Sequence, residues 1–310
     1  MSASGRITLK DVAAACGVSR STAGFVLAND PRQKISAQTR ERVHQAAREL
    51  GYVTHGVARA LREGSSRVVV LEIDWGYEGN YSRSYIRGLS DELGDHHYDL
   101  LVRHGPGSPL ATQRILEAIA PRAMLRFAEP YLTGRDLEDG GGGWADGLAS
   151  HIALQLGYLL DRGHERIALA LPDTHSPLSD ARRRLTSQHA ATLGVVEPVC
   201  FEIPPTRDGA AEAVARLRQE HPGVTAIAGF IDDIALRAVA ALRDLGLRVP
   251  DDVAVIGFDD TDYGALAIPA LTSIRVDAEA HGRLVARRAL GLGEGGLLPT
   301  PARVVVRESA

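Results

Sequence analysis

Residues 8–30 read TLKDVAAACGVSRSTAGFVLAND, and this stretch divides at Gly17 into two short helices sharing one turn. Thr8 can cap a helix from Leu9 to about Ala15, with Leu9, Val12, Ala13 and Cys16 on one face at i, i+3, i+4 and i+7. Gly17 permits a sharp reversal, and Ser19 is a second N-cap. Ala23, Val26 and Leu27 then give the next helix its inner face. A third helix opens at Ser36 in ISAQTRERVHQAARELGY, turns Thr39, Val43, Ala46, Ala47 and Leu50 inward, and stops at Gly51. Together these make a helix-turn-helix with a supporting helix.

The outward positions of the second helix are chemically suited to a DNA groove. Arg20 and Ser21 are the first past the cap, where N-terminal entry points side chains at base edges, and Arg20 could pair bidentately with guanine. Ser19, Thr22 and the helix N-terminal amides suit phosphates. Phe25 is unusual here, because it cannot hydrogen-bond a base edge. It either packs on a thymine methyl or turns into the head's own core. Spacing alone leaves DNA binding open, since helical hairpins of this composition also serve other ends.

Charge distribution points the same way. The net charge of −4 hides a basic head, in which residues 1–64 hold ten Lys or Arg against five acids. Attraction to a polyanion depends on local rather than total charge. No apolar run approaches a membrane span, MSASGRITLK lacks a signal-peptide core, and the expected compartment is the cytoplasm. Cys16 and Cys200 lack metal-ligand spacing and read as small apolar residues rather than a disulfide.

Beyond residue 64 the pattern becomes short apolar runs alternating with helical stretches. RVVVLEI, YDLLV, RIALAL, TAIAGF, DVAVIGF and ARVVVRE read as strands, and YIRGLSDELG, IALQLGYLLDRG, AAEAVARLRQE and IALRAVAALRDLG as helices. Such alternation implies parallel sheets wrapped by helices, with ligands beyond the carboxyl ends of the strands.

TLKDVAAACGVSRSTAGFVLAND, ISAQTRERVHQAARELGYVTHGVARALREG, GLRVPDDVAVIGFDDTDYGALAIPALTSI and the terminal VVVRES resemble the LacI/GalR family of bacterial repressors over nearly the whole chain. Residues 105–150 match it poorly. The resemblance implies an all-α helix-turn-helix head (1–53), a hinge helix (54–64) and an α/β two-lobed, periplasmic-binding-protein-like body (65–310) for effector binding and dimerisation. It implies a homodimeric, sequence-specific regulator, most simply a repressor, acting on double-stranded DNA at a near-palindromic operator. A small-molecule effector, a sugar or nucleoside, would control it. Leu61 would wedge into the minor groove at the operator centre. Thr8, Ser19, Arg20, Ser21, Thr22, Phe25 and Asn29 complete the DNA-facing set. In the cleft, Tyr81 falls on the family's effector-packing aromatic, with Trp75 and Tyr77 nearby. Arg182 falls on the effector-gripping arginine, although Arg183 and Arg184 adjoin it. Asp232 and Asp259 follow two strands at the cleft.

The chain also departs from that family. TAGF replaces a TVS followed by a polar or basic residue, Ile231 replaces an asparagine, and the Gly-aromatic pair after Arg182 is missing. A solute-binding sensor with a degenerate head is therefore the alternative reading. The carboxylates Asp232, Asp233, Asp259 and Asp260 have no accompanying nucleophile or His/Cys ligand spacing, so no enzyme and no cofactor are expected. GGGGW (140–144) lacks the Lys-Ser/Thr of a phosphate cradle and reads as a loop, with Trp144 a cleft candidate. His164 reads as a turn residue.

Overall fold

Three helices form the head: α1 (Leu9–Ala15), α2 (Arg20–Leu27) and α3 (Ala37–Glu49). They belong to a computed structural model that describes residues 7–27, 33–52, 64–73, 79–105, 109–127, 147–298 and 300–310. The chain divides into two units, residues 1–66 and 67–310. In the head, the Thr8 amide and hydroxyl both donate to the Asp11 carboxylate at 2.7 Å, which fixes the start of α1. Gly17, at φ 64°, reverses the chain. The Val18 amide then donates to the Ala13 carbonyl at 3.0 Å, satisfying the end of α1. Ser19 Oγ accepts from the Thr22 amide at 3.0 Å and Ser36 Oγ from the Thr39 amide at 3.2 Å, so α2 and α3 begin at side-chain caps. Val12, Ala13, Ala23, Val26, Val43, Ala46 and Ala47 form the core. Four alanines among seven residues let the helices approach closely.

The first lobe of the body is a parallel sheet of order β2-β1-β3, made of β1 (Val68–Ile73), β2 (Asp99–His104) and β3 (Ala123–Arg126). Helices α4 (Asn80–Asp95) and α5 (Pro109–Ile119) make its crossovers. The second lobe runs α6 (Leu148–Asp161), β4 (Ile167–Pro172), α7 (Pro177–Leu193), β5 (Val199–Ile203), α8 (Arg207–Glu220), β6 (Ala226–Gly229), α9 (Asp232–Asp244) and β7 (Ala254–Ile256). Its sheet is parallel, of order β5-β4-β6-β7. α10 (Asp262–Leu266), β8 (Ser273–Arg275), α11 (Glu279–Leu290) and β9 (Arg303–Val305) complete the body.

Each lobe has its own core, and the chain shuttles between them. Ala286 of the late helix α11 and its N-cap Ala278 pack into the first lobe beside Leu71 and Leu89, whereas Ala302, Val304 and Ala310 return to the second. Expectation and structure differ in three places. The strands AMLR, VCFEI and SIR were not anticipated, because three or four residues carry almost no periodicity and VCFEI mixes burial. Helices α5, α7, α10 and α11 were not anticipated either, α7 because of its run of three arginines. The β8–β9 pair is antiparallel, whereas parallel sheets alone were expected. Cys16 and Cys200 are free and half-buried, and His164 Nδ1 lies 3.0 Å from Thr225 Oγ1 in the turn before β4. Asn29, Leu61, Trp75, Tyr77, Trp144 and nearly all of the 54–64 hinge lie outside the described residues.

α4 and α11 meet at two glycines. A Cβ on Gly88 would stand 2.0 Å from the Glu279 carbonyl oxygen, and one on Gly282 would stand 2.1 Å from that of Tyr85. Neither neighbour is a side chain that can swing away. Gly282→Ala should therefore force the helices apart and destabilise the body by about 1–3 kcal/mol. Thermal or urea unfolding measures this, and an unchanged midpoint would show that the helices separate without cost.

Candidate functional sites

Helix α2 buries Ala23 and Val26 and turns Arg20, Ser21 and Phe25 to solvent. Positions 20, 21, 24 and 25 share one side of a 3.6-residue helix. Ser19 Oγ and Thr22 Oγ1 lie 2.8 Å apart at its N-terminal end, beside amides that have no intrahelical acceptor. Phe25 is 38% exposed and lies outside the head core. Of its two readings, this exposure fits the outward one better. A Cβ at Gly24 would make ordinary contact with Leu9 Cδ2 at 3.5 Å, so packing does not require glycine there. The structure thus gathers Ser19, Arg20, Ser21, Thr22 and Phe25 on one surface.

The second site lies beyond the carboxyl ends of β6 and β7. Of the three consecutive arginines only Arg182 is buried, at 1% exposure. Its Nη2 donates to Gln155 Oε1 at 2.8 Å and to the Gly229 carbonyl at 3.1 Å. Its guanidinium carbon lies 4.2 Å from the Phe258 ring centre. Nε and Nη1 have no hydrogen-bond partner, and among the described residues no carboxylate pairs with it. Burial pulls its pKa down to about 9, which leaves it charged at neutral pH. Gln155 was missed in the sequence. Its signal was a lone amide in the apolar run IALQLGYLL.

Asp259 follows β7 with φ 94°, and Asp260 follows it at φ 47°. The Asp259 backbone carbonyl accepts from the Asn80 amide at 2.8 Å, and its Oδ1 accepts from the Tyr81 amide at 2.6 Å. A carboxylate of the second lobe therefore sits on the N-terminus of α4 in the first. Burial pushes its pKa up to about 8, aided by the charges of Asp232 and Asp260 and opposed by the Tyr81 hydrogen bond and Arg83. Tyr81 packs against both lobe cores, its ring 5.7 Å from Phe127 and its hydroxyl 3.2 Å from His281 Nδ1.

Asp232, expected at the cleft, is engaged within the protein. It is fully buried, and its Oδ1 accepts from Ser273 Oγ at 2.5 Å while Oδ2 accepts from the Thr261 amide at 2.6 Å and the Thr261 hydroxyl at 2.9 Å. With these acceptors filled from within, it organises the 259–261 loop. Asp260 is likewise held, by Arg275 at 2.9 Å and Arg307 at 2.7 Å. Ile231 precedes α9 and packs on the second-lobe core.

A helix-turn-helix head with an exposed basic and aromatic face, attached to a two-lobed α/β body with polar groups between its lobes, defines a ligand-responsive DNA-binding protein. Residues 8–55 match the bacterial regulatory proteins of the lacI family, and residues 156–310 match a periplasmic binding protein-like domain. The chain belongs to the LacI family and is a DNA-binding transcriptional regulator. It is 29% identical to the HTH-type transcriptional regulator GntR of Pseudomonas aeruginosa, over 94% of this chain and 90% of that one. In fold it is similar to the Lac repressor dimer bound to operator and the anti-inducer ONPF, with TM-score 0.73, 22% identity and 98% of each chain covered. It is also similar to the CelR–cellobiose complex, with TM-score 0.59, 24% identity, and 98% of this chain and 100% of that one covered. Among the described residues no helix is long and apolar enough to cross a membrane.

The raised pKa of Asp259 has a signed consequence. Between the ordinary carboxylate value of 3.8 and about 8 the folded protein holds a proton that the unfolded chain does not, so this group's stabilisation, complete below 3.8, is lost as pH rises through about 8. Unfolding midpoints from pH 5 to 9 should fall less steeply for Asp259→Asn than for the unsubstituted protein. Parallel curves would mean that Asp259 titrates normally.

Proposed function

We propose that the protein is a cytoplasmic, homodimeric repressor whose hold on a near-palindromic operator is controlled by a small sugar-like or nucleoside-like ligand in the cleft. The outward face of α2 carries this reading. Arg20, Ser21 and Phe25 project from a helix whose opposite face is committed to the head core. Arg20 reads guanine, Phe25 packs on a thymine methyl, and Ser19 and Thr22 anchor phosphates. Thr8 and Asn29 contact the backbone at the ends of the motif. Residues 54–64 act as the hinge helix that brings Leu61 to the operator dyad, and 65–310 form the ligand-binding and dimerisation body.

In the cleft, Arg182 offers Nε and Nη1 to ligand oxygens while Phe258 provides an apolar wall. Tyr81 and Trp75 supply further ring contacts. Asp232, Asp259 and Asp260 are each engaged within the protein, which argues against a free carboxylate pair for acid–base chemistry there. For dimerisation, Leu266 and Ile268 stand 82% and 83% exposed beside the half-exposed Tyr263. An apolar surface of this kind on the body suits a second copy, and the similar Lac repressor is described as a dimer.

Operator fragments selected from a random duplex pool test the DNA reading. Arg20→Ala should relax preference at one symmetric pair of positions and cost about 1–3 kcal/mol per contact, and replacing the contacted thymine by uracil should weaken binding. Leu61→Ala should reduce operator affinity while sparing non-specific binding. Absence of any preferred sequence in a salt titration would instead favour a solute sensor with a degenerate head.

The dimer is tested separately. Leu266→Asp combined with Ile268→Asp should yield monomers by sedimentation, with an unchanged fold by circular dichroism. A persistent dimer would move the interface elsewhere.

A further inference from the structure

We propose that Asp259 is a latch between the two lobes, capping the N-terminus of α4 from the opposite lobe, and that a ligand group taking Asp259 acts by releasing that cap. The inference rests on the reading of this cleft as a ligand site.

The first amides of a helix have no intrahelical acceptor and ordinarily rely on a local side chain or water. Helix α4 begins after Gly79, which has no side chain to supply that cap. The deficiency is made good from far along the chain, 178 positions beyond Tyr81, since Asp259 supplies a backbone carbonyl to Asn80 and a carboxyl oxygen to Tyr81. The glycine is part of the arrangement. A Cβ at Gly79 would fall 1.6 Å from Asp259 Oδ2, so the carboxylate occupies the space that any other residue would fill.

Asp259 is also held in position to do this. Its left-handed φ of 94° and the 47° of Asp260 are uncommon for residues with a Cβ, and each requires support from its surroundings. Support comes from Asp232 on Thr261 and Ser273, and from Arg275 and Arg307 on Asp260. The Asp259 amide donates to the Ile274 carbonyl at 2.7 Å. One other charge pair spans the same edge, Arg83 with Asp262 at 2.5 Å, but it is solvent-exposed and contributes little. The cap joins two other buried links at the start of α4, Asn80 Nδ2 to the Val276 carbonyl and the Ala278 amide to Ser84 Oγ, and is the one among them that uses an ionisable group.

The latch makes Asp259 shared. Its Oδ1 serves either the α4 amide or a ligand donor in the same direction, and a ligand that claims it frees the first lobe at that edge. A ligand effect on lobe arrangement then follows from competition for one acceptor, with differential affinity for the latched and unlatched forms.

Hydrogen–deuterium exchange of the full-length protein, with neither DNA nor sugar added, reads the latch directly through the peptide covering residues 79–85. Asp259→Ala should raise exchange there roughly five- to tenfold, as expected for loss of a helix cap. Gly79→Ala should do the same while keeping Asp259 in the sequence, because its φ of −77° suits alanine and the Asp259 side chain, whose Oδ2, Cγ and Cβ would lie 1.6, 2.1 and 2.8 Å from the new Cβ, must be displaced. Retained exchange on β4 and β6 peptides will show that both variants remain folded. Unchanged exchange at 79–85 in both would overturn the latch. A purely ligand-binding role for Asp259 predicts that null result, and failure of the repressor reading itself would appear only in the operator experiments.

Discussion

The 259–261 loop depends on a carboxylate that never reaches solvent. Asp232 starts α9, accepts from Thr261 and Ser273, and donates its own amide to the Phe258 carbonyl at 3.0 Å. One residue thereby ties the helix after β6 to the loop after β7 and to strand β8. Burial raises its pKa while these hydrogen bonds pull in the opposite direction, and its buried oxygens are met from within the protein. Two residues in left-handed conformations follow from that anchoring. Everything placed by the loop, including Phe258 over Arg182 and Asp259 on α4, inherits its geometry.

The same contacts explain why two lobes with separate cores behave as one body. Late helix α11 packs on α4 through paired glycines, bringing backbone against backbone where a methyl group would not fit. Asn80 Nδ2 donates to the Val276 carbonyl at 2.8 Å and Ser84 Oγ accepts from the Ala278 amide at 2.8 Å, so the start of α4 grips the connecting segment. The first lobe is thus fastened by one helix at two places: along its side by α11 and at its tip by Asp259.

What could be read beforehand follows physical rules. Helices α1 and α3 were legible because periodic apolar positions agreed with local caps at Thr8 and Ser36, and long strands such as VVVLEI announced themselves as unbroken apolar runs. AMLR and SIR did not, since their pairing comes from partners remote in sequence. Burial singles out Arg182 from its neighbours Arg183 and Arg184, a distinction that three identical residues cannot carry locally. Asp232 and Asp259 looked alike, each an acid after a strand, and tertiary contacts gave them different work. The cap on α4 left no local trace at all. Gly79 contributes only by the absence of a side chain.

Phe25 and Arg182 show how the two ends of the molecule handle unsatisfied groups differently. Phe25 is an apolar ring left partly in water, a modest cost that contact with a thymine methyl would recover. Arg182 is a cation removed from water with two donors unmet, a much larger cost that Phe258 offsets only in part. All its described contacts, to Gln155, Gly229, Phe230 and Phe258, lie within the second lobe. On the proposed reading, a ligand satisfying Arg182 would gain affinity without biasing the lobes, whereas one that takes Asp259 would gain only the difference between two hydrogen bonds but change what holds the lobes together. That reading places affinity and coupling on different residues of one cleft, and a ligand reaching Arg182 alone would then bind without signalling.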